Sequence, residues 1–233
     1  KRSLNFHPVM KGYNNFMIYS NYLDRRFHIS APGQTTLHKI TEIYDENIQY
    51  KLTDNNKLNS EIVQENAILK INEICKISKY GQVLLFSTGS KEIINAVEQL
   101  NKILPQGAVA LPYFANMATQ YKDIVQNIGN KIKFIKNKKI NIFQEWGPKF
   151  IEDKSVHDGI YKRAVIVATN VAEASITIDG LKFVVDNGYA KVNQYDEEND
   201  VSELLEEKIS EASRLQRKGR VGRKSDGTVY YLY

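Results

Sequence analysis

The 233 residues suffice for one large domain or two small ones, and with 42% apolar and 25% charged side chains they read as a soluble globular chain. No apolar run approaches the ~18–20 residues of a membrane span, and the start KRSLNFHPVM lacks a signal peptide's apolar stretch. A single cysteine, Cys75, excludes an internal disulfide and suits a reducing, intracellular compartment, while a net charge of +5 fits a polyanionic partner without requiring one.

Residues 1–30 carry several aromatics in no clean period. Pro32 and Gly33 then make a turn, and apolar positions at Leu37, Ile40 and Ile43 give an extended segment. DNNKLNS is a polar loop. From Ser60 onward Val63, Ala67, Ile71 and Ile74 recur at helical spacing. QVLLFS (Gln82–Ser87) is a short apolar run closed by TGS, the pattern of a parallel strand buried on both faces. A helix follows with Ile93, Val97, Leu100 and Leu104 on one face, stopped by Pro105 and Gly107. AVALPY, RAVIVAT (Arg163–Thr169), LKFVVD (Leu181–Asp186) and the final GTVYYLY supply four more strands. Strands and helices in alternation imply an α/β fold with a mostly parallel sheet covered by helices. Between them, residues 121–140 hold six lysines against the single acid Asp123, which reads as a solvated helical face or a surface insertion rather than a dedicated nucleic-acid patch.

The stretch LQRKGRVGR (Leu215–Arg223) carries the chemistry. Arg217, Arg220 and Arg223 stand three apart, which on a helix lines their guanidiniums along one drifting face. Gly219 and Gly222 each cost about 1 kcal/mol in a helix interior, so bare backbone there suits the close approach of an anion or another chain segment. GRVGRKS is not a phosphate-binding P-loop: Arg223 separates Gly222 from Lys224 and no strand precedes it. YDEEN (Tyr195–Asn199) reads as a solvated turn and Asp186 as a strand-end residue. His7, His28, His38 and His157 have no ligand spacing, and nucleophile triads and dinucleotide fingerprints are absent. Arginines without a phosphate cradle in their own chain fit a set used against a site on another domain, where fixed guanidiniums stabilise a transferring phosphoryl group.

VIVATNVAEASITIDGLKFVVDNGYAK followed by ISEASRLQRKGRVGR closely resembles motifs V and VI of superfamily-2 helicases of the DEAH/RHA type. The poxvirus NPH-II-like helicases share the QRKGRVGR string. LLFSTGSKEI resembles motif IV, and ISAPGQT the segment that enters the second RecA-like domain. The resemblance is strong over about residues 80–233. It implies a RecA-like three-layer α/β fold with a β-hairpin near 188–206. Residues 1–30 would end an upstream region, and 31–233 would form the C-terminal RecA-like domain of a larger protein whose first lobe holds ATP and Mg²⁺.

The family's roles carry over by position. Gln216 falls near the attacking water, Arg220 and Arg223 on the phosphates, and Arg223 on the finger; Arg217 reads as an internal ion pair and Glu173 as structural. Ser175 and Thr177 match positions near the catalytic water and the interdomain linkage, with local backbone capping as the rival reading. Asp179 matches the aspartate that bonds the ribose, and Phe143 reads equally as the aromatic on the adenine or as core. Thr88, Gly89, Asn116, Thr169 and Asn170 match contacts to the nucleic-acid backbone. Ala115-Asn116 departs from the family's usual Gly-Ser pair, and Asn187 stands where proline is common.

The function implied is that of an ATP-dependent helicase half acting on nucleic acid, RNA by family habit, inactive by itself, monomeric, partnered by its first RecA-like lobe and not by a membrane. A DNA helicase or translocase half, and a non-catalytic nucleic-acid-binding module, remain the alternatives.

Overall fold

Apolar runs such as VLLF and AVIVA must be covered on both faces, and the centre of the sheet meets that demand. The computed structural model describes residues 38–44, 55–132, 135, 161–173, 176–196 and 201–233. In chain order these give β1 (Ile40–Tyr44), α1 (Asn56–Ile77), β2 (Gln82–Phe86), α2 (Ser90–Ile103), β3 (Ala108–Tyr113), α3 (Thr119–Gln126) and α4 (Ile128–Lys131). There follow β4 (Arg163–Ala168), a 3-10 turn (Asn170–Glu173), β5 (Leu181–Asp186), β6 (Tyr189–Asp196), β7 (Val201–Lys208), α5 (Glu211–Lys218) and β8 (Gly227–Tyr231). Six strands form one sheet in the order β1-β8-β5-β2-β4-β3, every neighbouring pair parallel. β6 and β7 form a separate antiparallel hairpin with Val192 opposite Leu205.

The period of two along each strand sorts its side chains into two cores. Val83, Leu85, Val165, Val167, Phe183 and Val185 pack under α1 and α2. Leu84, Phe86, Ala164, Ile166, Ala168 and Val184 face the other way, against α3, α4 and the chain after α5. The result is the expected three-layer RecA-like sandwich, with the hairpin where it was predicted.

Helix ends follow local chemistry. The Asn55 side chain accepts from Leu58 N at 3.1 Å and starts α1. At its far end Arg163 Nη1 donates to Ser78 O at 2.6 Å and places a cation by the helix's carbonyl end. α1 thus begins earlier than its apolar spacing suggested, because polar Asn59 and Ser60 are themselves buried. The lysine-rich segment also differs from expectation. Its described part is no surface insertion, since Tyr121, Ile124, Val125, Ile128, Ile132 and Ile135 all belong to the core, while Lys122 and Lys131 are half-buried.

A second correction concerns the arginine stretch, which does not run as one helix. α5 stops at Lys218, Gly219 caps it, and Gly222 takes φ +74°, a left-handed conformation that a side chain resists. The turn then passes so close to the start of β8 that a Cβ on Gly227 would lie 2.5 Å from that of Val221. The glycines therefore end the helix and fold the chain back, and Arg220 and Arg223 project from that turn rather than from a helical face.

Candidate nucleotide and nucleic-acid site

α5 carries its cations in two different states. Arg217 is fully buried, with Nε donating to Glu173 at 2.7 Å, Nη1 to Asp186 at 2.6 Å and Nη2 to Tyr189 O at 3.2 Å, its Cζ 4.6 Å from the Phe86 ring centre. Glu173 also accepts from Ser213 Oγ at 2.6 Å. The internal ion pair expected for Arg217 and the structural role expected for Glu173 are both present. Arg214 and Lys218 turn toward the edge strand β1. Both bond Glu42, Arg214 at 3.2 Å, and Glu42 also accepts from Tyr231 Oη at 2.9 Å. Lys224 pairs with Asp179 at 2.8 Å.

Arg220 and Arg223 have no such partner. Among the described residues neither makes an ion pair with a carboxylate. Arg220 Nη1 donates to Ile176 O at 3.1 Å, and Arg223 donates to Gly219 O at 2.9 Å and to Thr177 Oγ1 at 3.4 Å. Arg220 is half-buried, and burial, with the neighbouring Arg223 charge adding to it, holds its pKa below the usual arginine value. A desolvated cation beside a like charge gains from any anion that reaches it. Gln216 sits on the exposed side of α5, one turn before Arg220.

The loop between the 3-10 turn and β5 brings Thr177 and Asp179 to this face. Gly180 O accepts from Gln82 N at 2.9 Å, so Asp179 adjoins the end of the sheet where β2 and β5 begin. There an open depression of about 540 Å³ is lined by Thr177, Asp179 and Lys224 together with Gln126, Asn127 and Asn130. Ser175 and Phe143 lie outside the described residues.

The other predicted residues gather at the opposite edge. Thr88 and Gly89 follow β2, Thr169 and Asn170 follow β4, and Asn116 follows β3, and these three strands are neighbours in the sheet. With strands about 4.8 Å apart, the five positions form a short row. Asn116 and Asn170 are exposed and Thr169 half-buried, whereas Thr88 is buried and donates to Glu206 of the hairpin at 3.3 Å. Glu206 also accepts from Ser60 Oγ and lies 3.6 Å from Lys191, which pairs with Glu92 at 3.0 Å. This polar cluster roots the hairpin beside Thr88.

Sequence reasoning missed Glu42, Glu206, Lys224 and the α3–α4 amides. The one local signal was Gly129, a glycine inside an otherwise helical stretch.

The parallel sheet with its covering helices is a RecA-like lobe, with polar strand ends on one edge and, among the described residues, two guanidiniums without a carboxylate beside a polar depression. Residues 148–225 match the family described as helicase conserved C-terminal domain. The chain is 38% identical over 213 residues to the R366 protein of Acanthamoeba polyphaga mimivirus, covering 91% of this chain and 12% of that one. It is 30% identical over 190 residues to the ATP-dependent RNA helicase HrpA of Escherichia coli, covering 82% and 12%. In fold it resembles the crystal structure of the E. coli DExH-box NTPase HrpB, with a TM-score of 0.54 at 22% identity, over 84% of this chain and 19% of that one. The chain is thus similar to ATP-dependent RNA helicases of the DExH/DEAH type, and within it lies their conserved C-terminal domain. It spans about an eighth of the length of the curated relatives it matches. Among the described residues no helix is long and apolar enough to cross a membrane.

Proposed function

We propose that this chain is the second RecA-like lobe, residues 31–233, of an ATP-dependent RNA helicase, and that it completes an ATP site on a first lobe. The observation that carries this reading is the contrast within the arginine stretch. Arg214, Arg217, Lys218 and Lys224 are each matched to a carboxylate, while Arg220 and Arg223 are held by backbone oxygens and a threonine hydroxyl and are left for an external anion.

In this mechanism Arg220 and Arg223 grip the phosphates and stabilise charge as the γ-phosphoryl leaves, with Arg223 as the finger. Gln216 orients the attacking water, Asp179 and Thr177 meet the sugar side of the nucleotide, and Ser175 and Phe143 complete that site. Mg²⁺ would neutralise phosphate charge during transfer. Its ligands would come from the first lobe, as the family resemblance implies. Loss of the γ-phosphate removes what the arginines hold, and the lobes separate. Thr88, Gly89, Asn116, Thr169 and Asn170 contact the strand backbone without reading bases, and the β6–β7 hairpin meets the duplex junction. RNA is preferred over DNA because HrpA, the relative so named, is an RNA helicase.

In the full-length protein Arg223→Ala should leave nucleotide affinity within about threefold and lower ATP turnover by about 10³–10⁵. Turnover equal to the parent's would reject the assignment. Single-turnover unwinding of matched RNA and DNA duplexes distinguishes the substrates.

A further inference from the structure

Asp179 is held in an unusual seat. Its Oδ1 pairs with Lys224 at 2.8 Å, and its other oxygen lies against Gly129 of α4, on the wall of the depression shared with Thr177 and Asn130. A Cβ built on Gly129 would come 2.4 Å from Oδ2, 3.2 Å from Cγ and 3.4 Å from Cβ of Asp179. Turning the two oxygens about the end of the side chain would not relieve this, because Cγ would still be crowded. Oδ2 would have to move aside and Cγ to give by a few tenths of an ångström, so the carboxylate could not keep the position it holds here.

Nothing in the backbone asks for glycine at this position. Gly129 sits within the helical turn Ile128–Lys131 and does not take a positive φ, so alanine is the better residue by local propensity. The missing side chain is therefore best explained by the space that the carboxylate occupies.

We infer that Gly129 is a positioning residue for nucleotide binding: it keeps open the seat from which Asp179 presents its carboxylate to the sugar hydroxyls of ATP. The inference rests on the reading above that Asp179 meets the ribose. A carboxylate accepting from a hydroxyl is a charge-assisted bond, worth about tenfold in affinity at a half-exposed site. Displacing it should raise KM and leave the phosphate chemistry at Arg220 and Arg223 alone.

The test uses the full-length protein and compares the parent with Gly129→Ala, Asp179→Ala and the double variant, with ATP, 2′-deoxy-ATP and 3′-deoxy-ATP as substrates. The parent should prefer ATP over at least one deoxy analogue. Gly129→Ala should raise KM for ATP about tenfold, keep kcat within twofold, abolish the sugar preference and leave the thermal midpoint unlowered. The double variant should match Asp179→Ala, since both changes remove the same contact. If Asp179→Ala raises KM and erases the preference while Gly129→Ala does neither, the role of Gly129 is overturned and the ribose reading stands. If Asp179→Ala itself changes nothing, the ribose reading fails and the inference with it. Additive effects in the double variant, or a lowered midpoint with kcat and KM both impaired, would mark Gly129 as a packing residue only and overturn the inference.

Discussion

Replacing Arg217 with methionine tests how the fold is held together. Methionine fills a comparable volume but leaves two carboxylates without their cation: Asp186, whose side chain is 0% exposed, and Glu173, at 11%. Breaking a buried pair by removing one partner costs about 3–5 kcal/mol, because the charge left behind is uncompensated. For a chain of this size each kcal/mol moves the melting midpoint by about 2–4 °C. The expected loss is therefore about 6–20 °C, read by circular dichroism or a dye-based melt at neutral pH. The triple change Arg217→Met, Glu173→Gln and Asp186→Asn leaves no charge among these three side chains and should recover a substantial part of that loss. A single variant melting within about 2 °C of the parent, or a triple variant no better than the single one, would refute the argument that unpaired charge dominates the cost.

The Glu42 clamp makes a prediction about pH. Burial pushes the Glu42 carboxyl up, but hydrogen bonds from Lys218 and Tyr231 and the Lys218 charge outweigh it, so its folded value lies below the ordinary 4.5. A depressed folded value means that the ionised form stabilises the fold above pH 4.5 and that this contribution fades as pH falls through the folded value. The melting gap between parent and Glu42→Gln should hold steady from pH 7 to about pH 5 and narrow below it; a gap that widens on acidification would contradict this. Cys75 is buried on α1, and burial raises its thiol pKa, so a thiol reagent should leave it unmodified in the native chain and label it fully in denaturant. Stoichiometric labelling of the native protein would count against its placement in the core.

What could be read from the sequence was set by how local each cause is. β2, β4 and α2 announce themselves because their own residues carry the period that buries them. The internal role of Arg217 was readable through the family motif, although its partners Glu173 and Asp186 were not. The end of α5 was misjudged because spacing alone does not reveal that Gly222 must be left-handed to bring Val221 against Gly227. The start of α1 was hidden because Asn59 and Ser60 are buried by contacts from distant segments. Glu42 carried no signal at all, since Arg214 and Tyr231 lie 172 and 189 residues away in sequence. Thr88 was placed correctly at a strand end, but its donation to Glu206 depends on the hairpin and has no local trace.

Asp179 lies where β2 and β5 begin, and the row of Thr88, Asn116, Thr169 and Asn170 lies where β2, β3 and β4 finish. Six residues of parallel strand rise about 20 Å, too far for a side chain to reach. In the proposed function, a change at the sugar and phosphates would reach Thr169 and Asn170 through the sheet, acting as a lever, and through the chain that joins β4 to β5. Arg217 stiffens that lever, because one guanidinium joins the turn after β4, the end of β5 and the first residue of the hairpin. Whatever tilt the lobe undergoes, the strand-end row and the hairpin inherit it together. In the proposed function, any movement passed to a bound strand would then be set by geometry rather than by flexing within the lobe.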